Sequence, residues 1–131
     1  MGLKVLFLYP NTYGMNMLPP AIALFSSLLK QNGHEVELFD STYYQDDHGL
    51  EGSQLNQGSR VNRLNVVAFD PNEKGIKMRT SRWEDDLREQ VDTFSPDLIA
   101  LSATEDMWLL GTRLLEEIED YITKNRTPVI F

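Results

Sequence analysis

The sequence of 131 residues contains no cysteine, so these residues form no disulfide and offer no thiolate to an iron–sulfur cluster or a covalent intermediate. Lys and Arg are also few, 12 against 20 Asp and Glu, and the formal net charge is −8. Because this charge repels a phosphate backbone, we expect no nucleic-acid partner. The apolar runs are far shorter than the roughly 20 residues of a membrane helix, and the first residues lack a secretory signal pattern. We therefore expect a cytoplasmic protein with no membrane partner.

The composition that remains is typical of one folded domain with a single core, since 41% of the residues are hydrophobic and 24% are charged. Strand and helix patterns alternate along the chain. Short apolar or alternating runs predict four strands, at 4–9, 35–40, 97–102 and 128–131. Helical periodicity predicts three helices, one from Pro20 to a stop at Gly33, one from a capping box of Ser81 and Glu84 to Phe94, and one over 105–124.

This alternation predicts a three-layer α/β fold of flavodoxin-like, or Rossmann-like, type with a parallel sheet in the order 2-1-3-4. The polar stretch at about 43–80 is too long for an ordinary connection and predicts an insertion. Within it, the apolar runs 65–69 and 76–79 flank turn residues and are predicted to pair as a β-hairpin.

The last predicted strand, 128–131, is followed by neither a turn signal nor a helix. We therefore interpret residues 1–131 as a single, truncated domain that lacks the final strand or strands and the final helix of its sheet. The first helix would then cover only part of one face, and the same face of strands 3 and 4 would stay bare. Because bare apolar surface and an unpaired edge drive association, we expect the chain to self-associate.

In a sheet of this order, ligands bind outside the carboxyl ends of the strands, here between strands 1 and 3. The loops at that point are 10–18 and 102–106. The first loop lacks the three spaced glycines of a dinucleotide-binding fingerprint, which argues against nicotinamide. It matches a flavodoxin phosphate-binding loop only weakly, through Thr12, Gly14 and Asn16. Trp108 follows the second loop and is either a packing residue or part of the site.

The two histidines predict no metal site, because neither has a nearby partner at a spacing typical of metal ligands. His34 follows the Gly33 helix stop and is interpreted as a turn residue. His48 lies in Asp46-Asp47-His48-Gly49, which does not match the Asp-x-His-x-x-Gly motif that ligates cobalt in some cobalamin enzymes, since the sixth position is Glu51.

Several segments share one further pattern. These are the strand 5–10, the Leu-Pro-Pro-Ala stretch 18–21 with its apolar helix, 33–36 leading to Asp40, 95–104 and 128–131. Together they resemble the N-terminal cobalamin-binding domain of radical S-adenosylmethionine enzymes, including the anaerobic magnesium-protoporphyrin IX monomethyl ester oxidative cyclases. The resemblance implies cobalamin held without a histidine ligand to cobalt.

The resemblance also implies where the cofactor lies and what the chain lacks. The residues expected at the cofactor are Pro10, Asn11, Thr12, Tyr13, Gly14, Leu18, Ser102, Thr104 and Glu105. Thr104 has an alternative role as the cap of the helix that begins near Glu105. No residue is expected to be catalytic, because the 4Fe-4S cluster and S-adenosylmethionine of such enzymes belong to a downstream domain of the same chain, absent here.

Two functions therefore remain open at this point. The first is a cobalamin-binding module of a radical S-adenosylmethionine methyltransferase or oxidative cyclase. The second is a flavodoxin-like binding or protein-interaction domain without cobalamin. They differ in whether the carboxyl ends of the strands form an open, polar cleft.

Overall fold

The computed structural model describes residues 2–12, 17–44, 73 and 75–131, and these form one four-stranded parallel sheet with helices on both faces. The strands are β1 (Lys4–Tyr9), β2 (Glu35–Asp40), β3 (Leu98–Leu101) and β4 (Val129–Ile130). The helices are α1 (Pro20–Gln31), α2 (Trp83–Phe94), α3 (Trp108–Glu117) and α4 (Glu119–Asn125), with a 3-10 turn over Glu105–Met107. The sheet order is β2-β1-β3-β4, so the predicted flavodoxin-like α/β fold is confirmed.

Strand β1 is the centre of the sheet and pairs in parallel with β2 on one side and with β3 on the other. Its side chains alternate between the two faces, as in any strand. Leu6 and Leu8 point into one core, while Val5, Phe7 and Tyr9 point into the other, and all five are buried. The near-continuous apolar sequence of β1 follows from this burial on both faces.

The larger core lies between the sheet and the three helices α2, α3 and α4. Leu6, Leu8 and Ile99 of the sheet meet side chains of these helices and of the segment after β2. The helical members of this core are Trp83, Leu87, Val91 and Phe94 of α2 and Leu114 of α3, with Ile118 in the junction before α4. This face carries most of the buried apolar surface of the described residues.

The smaller core lies under α1 alone, where Ile22 packs on Val5, Phe7 and Tyr9. Helix α1 ends as the sequence predicts, since Gly33 adopts a φ of 81° that a residue with a Cβ rarely takes. The helix packs against β2 and leaves the same face of β3 and β4 without a helix among the described residues.

Two of the predicted helices differ in detail from the structure. The capping box was a wrong prediction, because α2 begins at Trp83 with Arg82 in the cap position and no side-chain cap. The Ser81 hydroxyl instead donates to Asp86 at 2.7 Å. The single helix predicted over 105–124 is a 3-10 turn followed by two helices. The backbone leaves the helical angles at Ile118, which is buried in the larger core and turns α4 onto that core.

Most of the predicted insertion, 45–72 and residue 74, lies outside the described residues, and so does the first arm of the predicted hairpin at 65–69. Of its second arm, Arg79 forms an isolated parallel bridge with Tyr44, directly after β2. Helices within the described part of the chain are all too short and too polar to cross a membrane.

The double burial of β1 predicts a large effect of truncating its side chains. We expect Leu8→Ala to lower the free energy of unfolding by about 2–5 kcal/mol, since it removes contacts in the larger core and leaves a cavity. Leu109→Ala is the matched control, because Leu109 is 66% exposed on α3, and it should cost less than about 0.5 kcal/mol. Urea unfolding measures both, and equal losses would contradict the position of the core.

Candidate functional site

The carboxyl ends of all four strands lie at one edge of the sheet, as parallel pairing requires. After β1 come Pro10, Asn11 and Thr12, and after β2 come Ser41 and Thr42. After β3 come Ser102, Ala103, Thr104 and Glu105, and after β4 comes Phe131. The described members of the predicted set thus meet at this edge, whereas Tyr13 and Gly14 lie outside the described residues.

Asn11 is part of a buried polar network that joins the ends of β1 and β2. Its backbone N–H donates to Ser41 Oγ at 2.9 Å, and the Ser41 hydroxyl donates back to the Asn11 carbonyl at 2.8 Å. The Asn11 side-chain amide donates to Thr42 Oγ1 at 3.0 Å, and the Thr42 hydroxyl donates to Asp40. The network uses Asn11 as a structural residue, and its β2 partners were missed in the sequence because 30 residues separate the two strand ends.

Pro10 is also a packing residue, buried beneath the first turns of α3. A Cβ on Gly111 would lie 3.3 Å from Pro10 Cγ and 3.2 Å from Leu101 Cδ2, closer than most real Cβ contacts. The absence of a side chain at Gly111 therefore lets α3 approach the ends of β1 and β3 closely. This contact was not predicted from the sequence, because a lone glycine inside a helical pattern has no distinctive spacing.

Thr12 differs from Pro10 and Asn11, because its hydroxyl has no hydrogen-bond partner within the described part of the chain. The residue is only 5% exposed, and its Oγ1 is buried without a hydrogen bond to any described residue. A buried hydroxyl left unpaired costs about 1–3 kcal/mol, and buried polar atoms in folded proteins are nearly always paired. Among the described residues of this edge, the Thr12 hydroxyl is therefore a buried polar atom that is left to bond another group.

The end of β3 brings two more hydroxyls to the same edge, next to β1. The Ser102 N–H donates to the Leu8 carbonyl at 2.9 Å, so Ser102 continues the pairing of β3 with β1. Ser102 is half-buried, and Thr104 and Glu105 are exposed. Thr104 stands at the start of the 3-10 turn, but its side chain makes no capping hydrogen bond, so the alternative role of Thr104 as a side-chain cap is wrong.

The far end of the first loop is tied to β1 by Tyr9. The Tyr9 hydroxyl donates to the Met17 carbonyl at 2.8 Å. Burial, and secondarily the negative charge of Asp40, raises the pKa of Tyr9, so the phenol stays a neutral donor. Met17 and Leu18 follow with exposed apolar side chains. The loop is thus fixed at its beginning by Asn11 and at its end by Tyr9.

An aromatic pair borders the edge at the ends of β3 and β4. The rings of Trp108 and Phe131 lie 5.6 Å apart at 54°, and both residues are exposed. Such tilted pairs are favourable, and their outer ring faces offer an apolar surface to a planar ligand. The contact with Phe131 and the 45% exposure of Trp108 are compatible with both of its predicted roles, as a packing residue and as part of the site.

The described residues include no group of His, Cys, Asp and Glu side chains arranged to hold a metal ion. His34 lies at the opposite, amino-terminal edge of the sheet, where its Nδ1 accepts the Leu3 N–H at 3.0 Å. It is thus a turn residue, as predicted, and it cannot reach a ligand at the carboxyl edge. His48 lies outside the described residues.

A cavity of about 440 Å³ between β2 and α2 was not predicted from the sequence. Its carboxylates are Glu37, Asp40, Asp86 and Glu89, and Gln90 donates to Glu37 at 2.7 Å. Asp86 accepts hydrogen bonds from Ser81 and from the Tyr44 hydroxyl, and it lies 3.6 Å from Arg79. The contacts of Asp86 hold Tyr44, in the segment after β2, against α2. The bond from Gln90 to Glu37 joins α2 to β2 itself.

The pKa values of the two central groups of this cluster reflect these contacts. The hydrogen bond from Ser81, helped by Tyr44 and Arg79, lowers the pKa of Asp86 below its ordinary value of 3.8. Burial, and then the hydrogen bond to Asp86, raises the pKa of Tyr44 to about 12. At neutral pH the pair is therefore a carboxylate that accepts from a neutral phenol.

Comparisons with known proteins give no match to a protein-family model, to a curated protein or to a solved structure. The function must therefore be inferred from the residues of the strand ends themselves.

The unpaired hydroxyl of Thr12 predicts that its removal stabilises the chain without a ligand. Thr12→Val keeps the shape and deletes the unpaired oxygen, so we expect the free energy of unfolding to rise by about 1 kcal/mol. Ser41→Ala is the control, because it deletes a hydroxyl with two hydrogen bonds and should cost about 1–3 kcal/mol. Chemical denaturation measures both. A loss on Thr12→Val would mean that the hydroxyl already has a partner.

The lowered pKa of Asp86 predicts a pH-dependent stability contribution. Because the folded value lies below the unfolded one, the contribution is present at pH values above about 3.8 and is lost as the pH falls through the folded value. Asp86→Asn should therefore lower the free energy of unfolding at pH 7 and lose its effect in acid. Asp92→Asn, at an exposed position of α2, should change little at any pH. If the free energy of unfolding of Asp86→Asn differed from that of the parent chain by the same amount at every pH, the lowered pKa of Asp86 would be contradicted.

Proposed function

We propose that the chain is a cobalamin-binding module without catalytic residues of its own, with the cofactor against the carboxyl ends of β1 and β3. The observation that carries the proposal is the hydroxyl of Thr12 at the switch point of the sheet, which is buried and has no hydrogen-bond partner among the described residues. An unused hydrogen-bonding atom at the position where this fold binds ligands is best explained by a ligand that pairs with it.

The other residues of the edge fit a bulky cofactor with a nucleotide tail. Ser102 and Thr104 are small hydroxyl residues at the end of the neighbouring strand, and they allow a large group to approach and offer it donors and acceptors. Trp108 and Phe131 add an exposed apolar border. Pro10 and Asn11 support the site from below, through their contacts to Gly111 and Thr42, rather than by contacting the cofactor with their side chains.

The proposal assigns cobalt no imidazole ligand from the protein, as the resemblance to radical S-adenosylmethionine enzymes implies. His34 is engaged at the opposite edge. The resemblance to radical S-adenosylmethionine enzymes motivates the choice of cobalamin, which in such enzymes supplies cobalt chemistry to a separate domain that holds the 4Fe-4S cluster and S-adenosylmethionine. We propose that this chain likewise holds the cobalamin and that a separate domain holds the 4Fe-4S cluster and S-adenosylmethionine. The whole protein would then be a methyltransferase or an oxidative cyclase.

The second candidate is a flavodoxin-like interaction domain without cobalamin. One observation favours it, an apolar groove on the α1 face of the sheet, which is separate from the carboxyl edge. The two candidates make different predictions for the strand ends, because only the first needs Thr12, Ser102 and Thr104 to contact a ligand.

Cobalamin retention tests the proposal directly. We expect the chain to retain hydroxocobalamin through a desalting column, measured by the visible spectrum of the protein fraction. The double variant Ser102→Leu, Thr104→Val should bind it about 10-fold to 100-fold more weakly, because two hydrogen bonds of about 0.5–1.5 kcal/mol each are lost and leucine occupies the space of the tail.

The matched control makes the same two chemical changes away from the strand ends. Ser27→Leu combined with Thr123→Val alters exposed positions of α1 and α4, and it should leave retention unchanged. Equal retention by the Ser102, Thr104 variant and by the control would remove these residues from the site. No retention by the unmodified chain would leave the interaction domain as the function.

A further inference from the structure

A groove of about 380 Å³ lies beside α1, on the face of the sheet that has only one helix among the described residues. It is separate from the carboxyl edge proposed for the cofactor. Its walls and floor come from α1, from three strands of the sheet and from the turn after α1, and the lining is apolar except for Asn32 and His34 in that turn. The principal lining residues are Phe25, Leu28, Phe7, Leu98, Ala100 and Ile130.

The outer surface of α1 is apolar as well. Leu24, Phe25 and Leu28 are 57%, 52% and 45% exposed, although a helix that packs on one sheet normally shows polar residues outwards. Leu24 and Leu28 are one turn apart and form a ridge on the side of α1 away from Ile22, the residue that α1 buries in its own sheet. An apolar ridge and an apolar groove therefore lie side by side on one surface.

The charge of this surface differs from that of the whole chain. The formal net charge of −8 makes two copies repel each other, but α1 contains neither Asp nor Glu, and its one charged residue is Lys30. The charged groups that oppose the approach of a second copy thus lie elsewhere. Because α1 has no carboxylates, two copies can meet through their α1 surfaces without repulsion between acidic side chains of the two helices.

We propose that the partner of this groove is a second copy of the same chain. In a two-fold arrangement, the ridge of Leu24 and Leu28 on each copy enters the groove of the other, beside Phe25. Both α1 helices then lie between the two sheets, and each packs over the part of β3 and β4 on which the partner's described residues place no helix. Because the same surface is used twice, the assembly closes at two copies.

The apolar area available is consistent with a weak, closed dimer. Leu24, Phe25, Leu28 and Ile130 can each remove about 100 Å² from water, so these four side chains supply about 400 Å² per copy. A standard interface buries about 800 Å² per partner, and this surface supplies about half of that area, because the floor residues Val5, Phe7 and Ala100 are already buried within each chain. We expect a dissociation constant on the order of micromolar, tighter at high salt because the repulsion between the acidic chains is then screened.

Sedimentation equilibrium across a concentration series from micromolar to millimolar tests the proposal. We expect the mass to rise from the 15.1 kDa of one chain to twice that value and no further. Leu24→Glu combined with Leu28→Glu places two charges of the same sign on each ridge, and this variant should stay monomeric. Leu109→Glu is the matched control, since Leu109 is exposed on α3 at the other face of the sheet, and it should dimerise like the parent chain.

The outcomes separate the interfaces that the fold offers. A parent chain that stays monomeric at every concentration overturns the proposal and leaves the groove to a different protein. A dimer that survives the ridge variant also overturns it, since pairing through the edge of β4 would not need Leu24 and Leu28. Far-UV circular dichroism checks that the variant is folded. If it is not, Leu24→Ala combined with Leu28→Ala keeps the helix and should still weaken dimerisation at least 10-fold. Cobalamin retention is measured separately and does not depend on this result.

Discussion

The burial of β1 on both faces is the constraint on which the rest of this structure depends. A strand that carries apolar residues in both directions needs a layer on each side, and the chain supplies these layers unequally. Three helices cover the face of Leu6 and Leu8, whereas α1 alone covers part of the face of Val5 and Phe7. The stability of the chain therefore resides mainly in the larger core, and the face under α1 is left with surface for an interaction.

At the carboxyl edge, hydrogen bonds hold the residues that directly follow β1 and β2 in place, whereas the Thr12 hydroxyl has no partner among the described residues. Asn11, Ser41 and Thr42 tie the ends of β1 and β2 together, and Tyr9 holds the end of the following loop. A ligand at this edge would thus meet groups that are already in place, which lowers the entropy lost on binding. The buried hydroxyl of Thr12, which has no partner among the described residues, is predicted to lower stability in the absence of a ligand, as binding residues often do.

The sequence was sufficient for those features that depend on local patterns. The apolar run of β1, the proline start of α1 and the stop at Gly33 specify their elements within a few residues, so the fold and the sheet order followed. For the candidate site, the sequence predicted its location at the strand ends but not the role of each residue there. That Asn11 and Pro10 are structural depends on Thr42 and Gly111, which lie about 30 and 100 residues away in the chain. The bonds of Ser81 and the break at Ile118 likewise depend on tertiary packing, which overrides local propensity.

The unequal layers also determine how the two proposed interactions relate to each other. Ligands approach this sheet along the strand direction, at the ends of β1 and β3, whereas a second copy would approach at right angles to it, over the face of β3 and β4. Neither interaction occupies the surface of the other. Ala100 of β3 faces the groove, and Ser102 directly follows β3 at the carboxyl edge, so the end of β3 borders both surfaces.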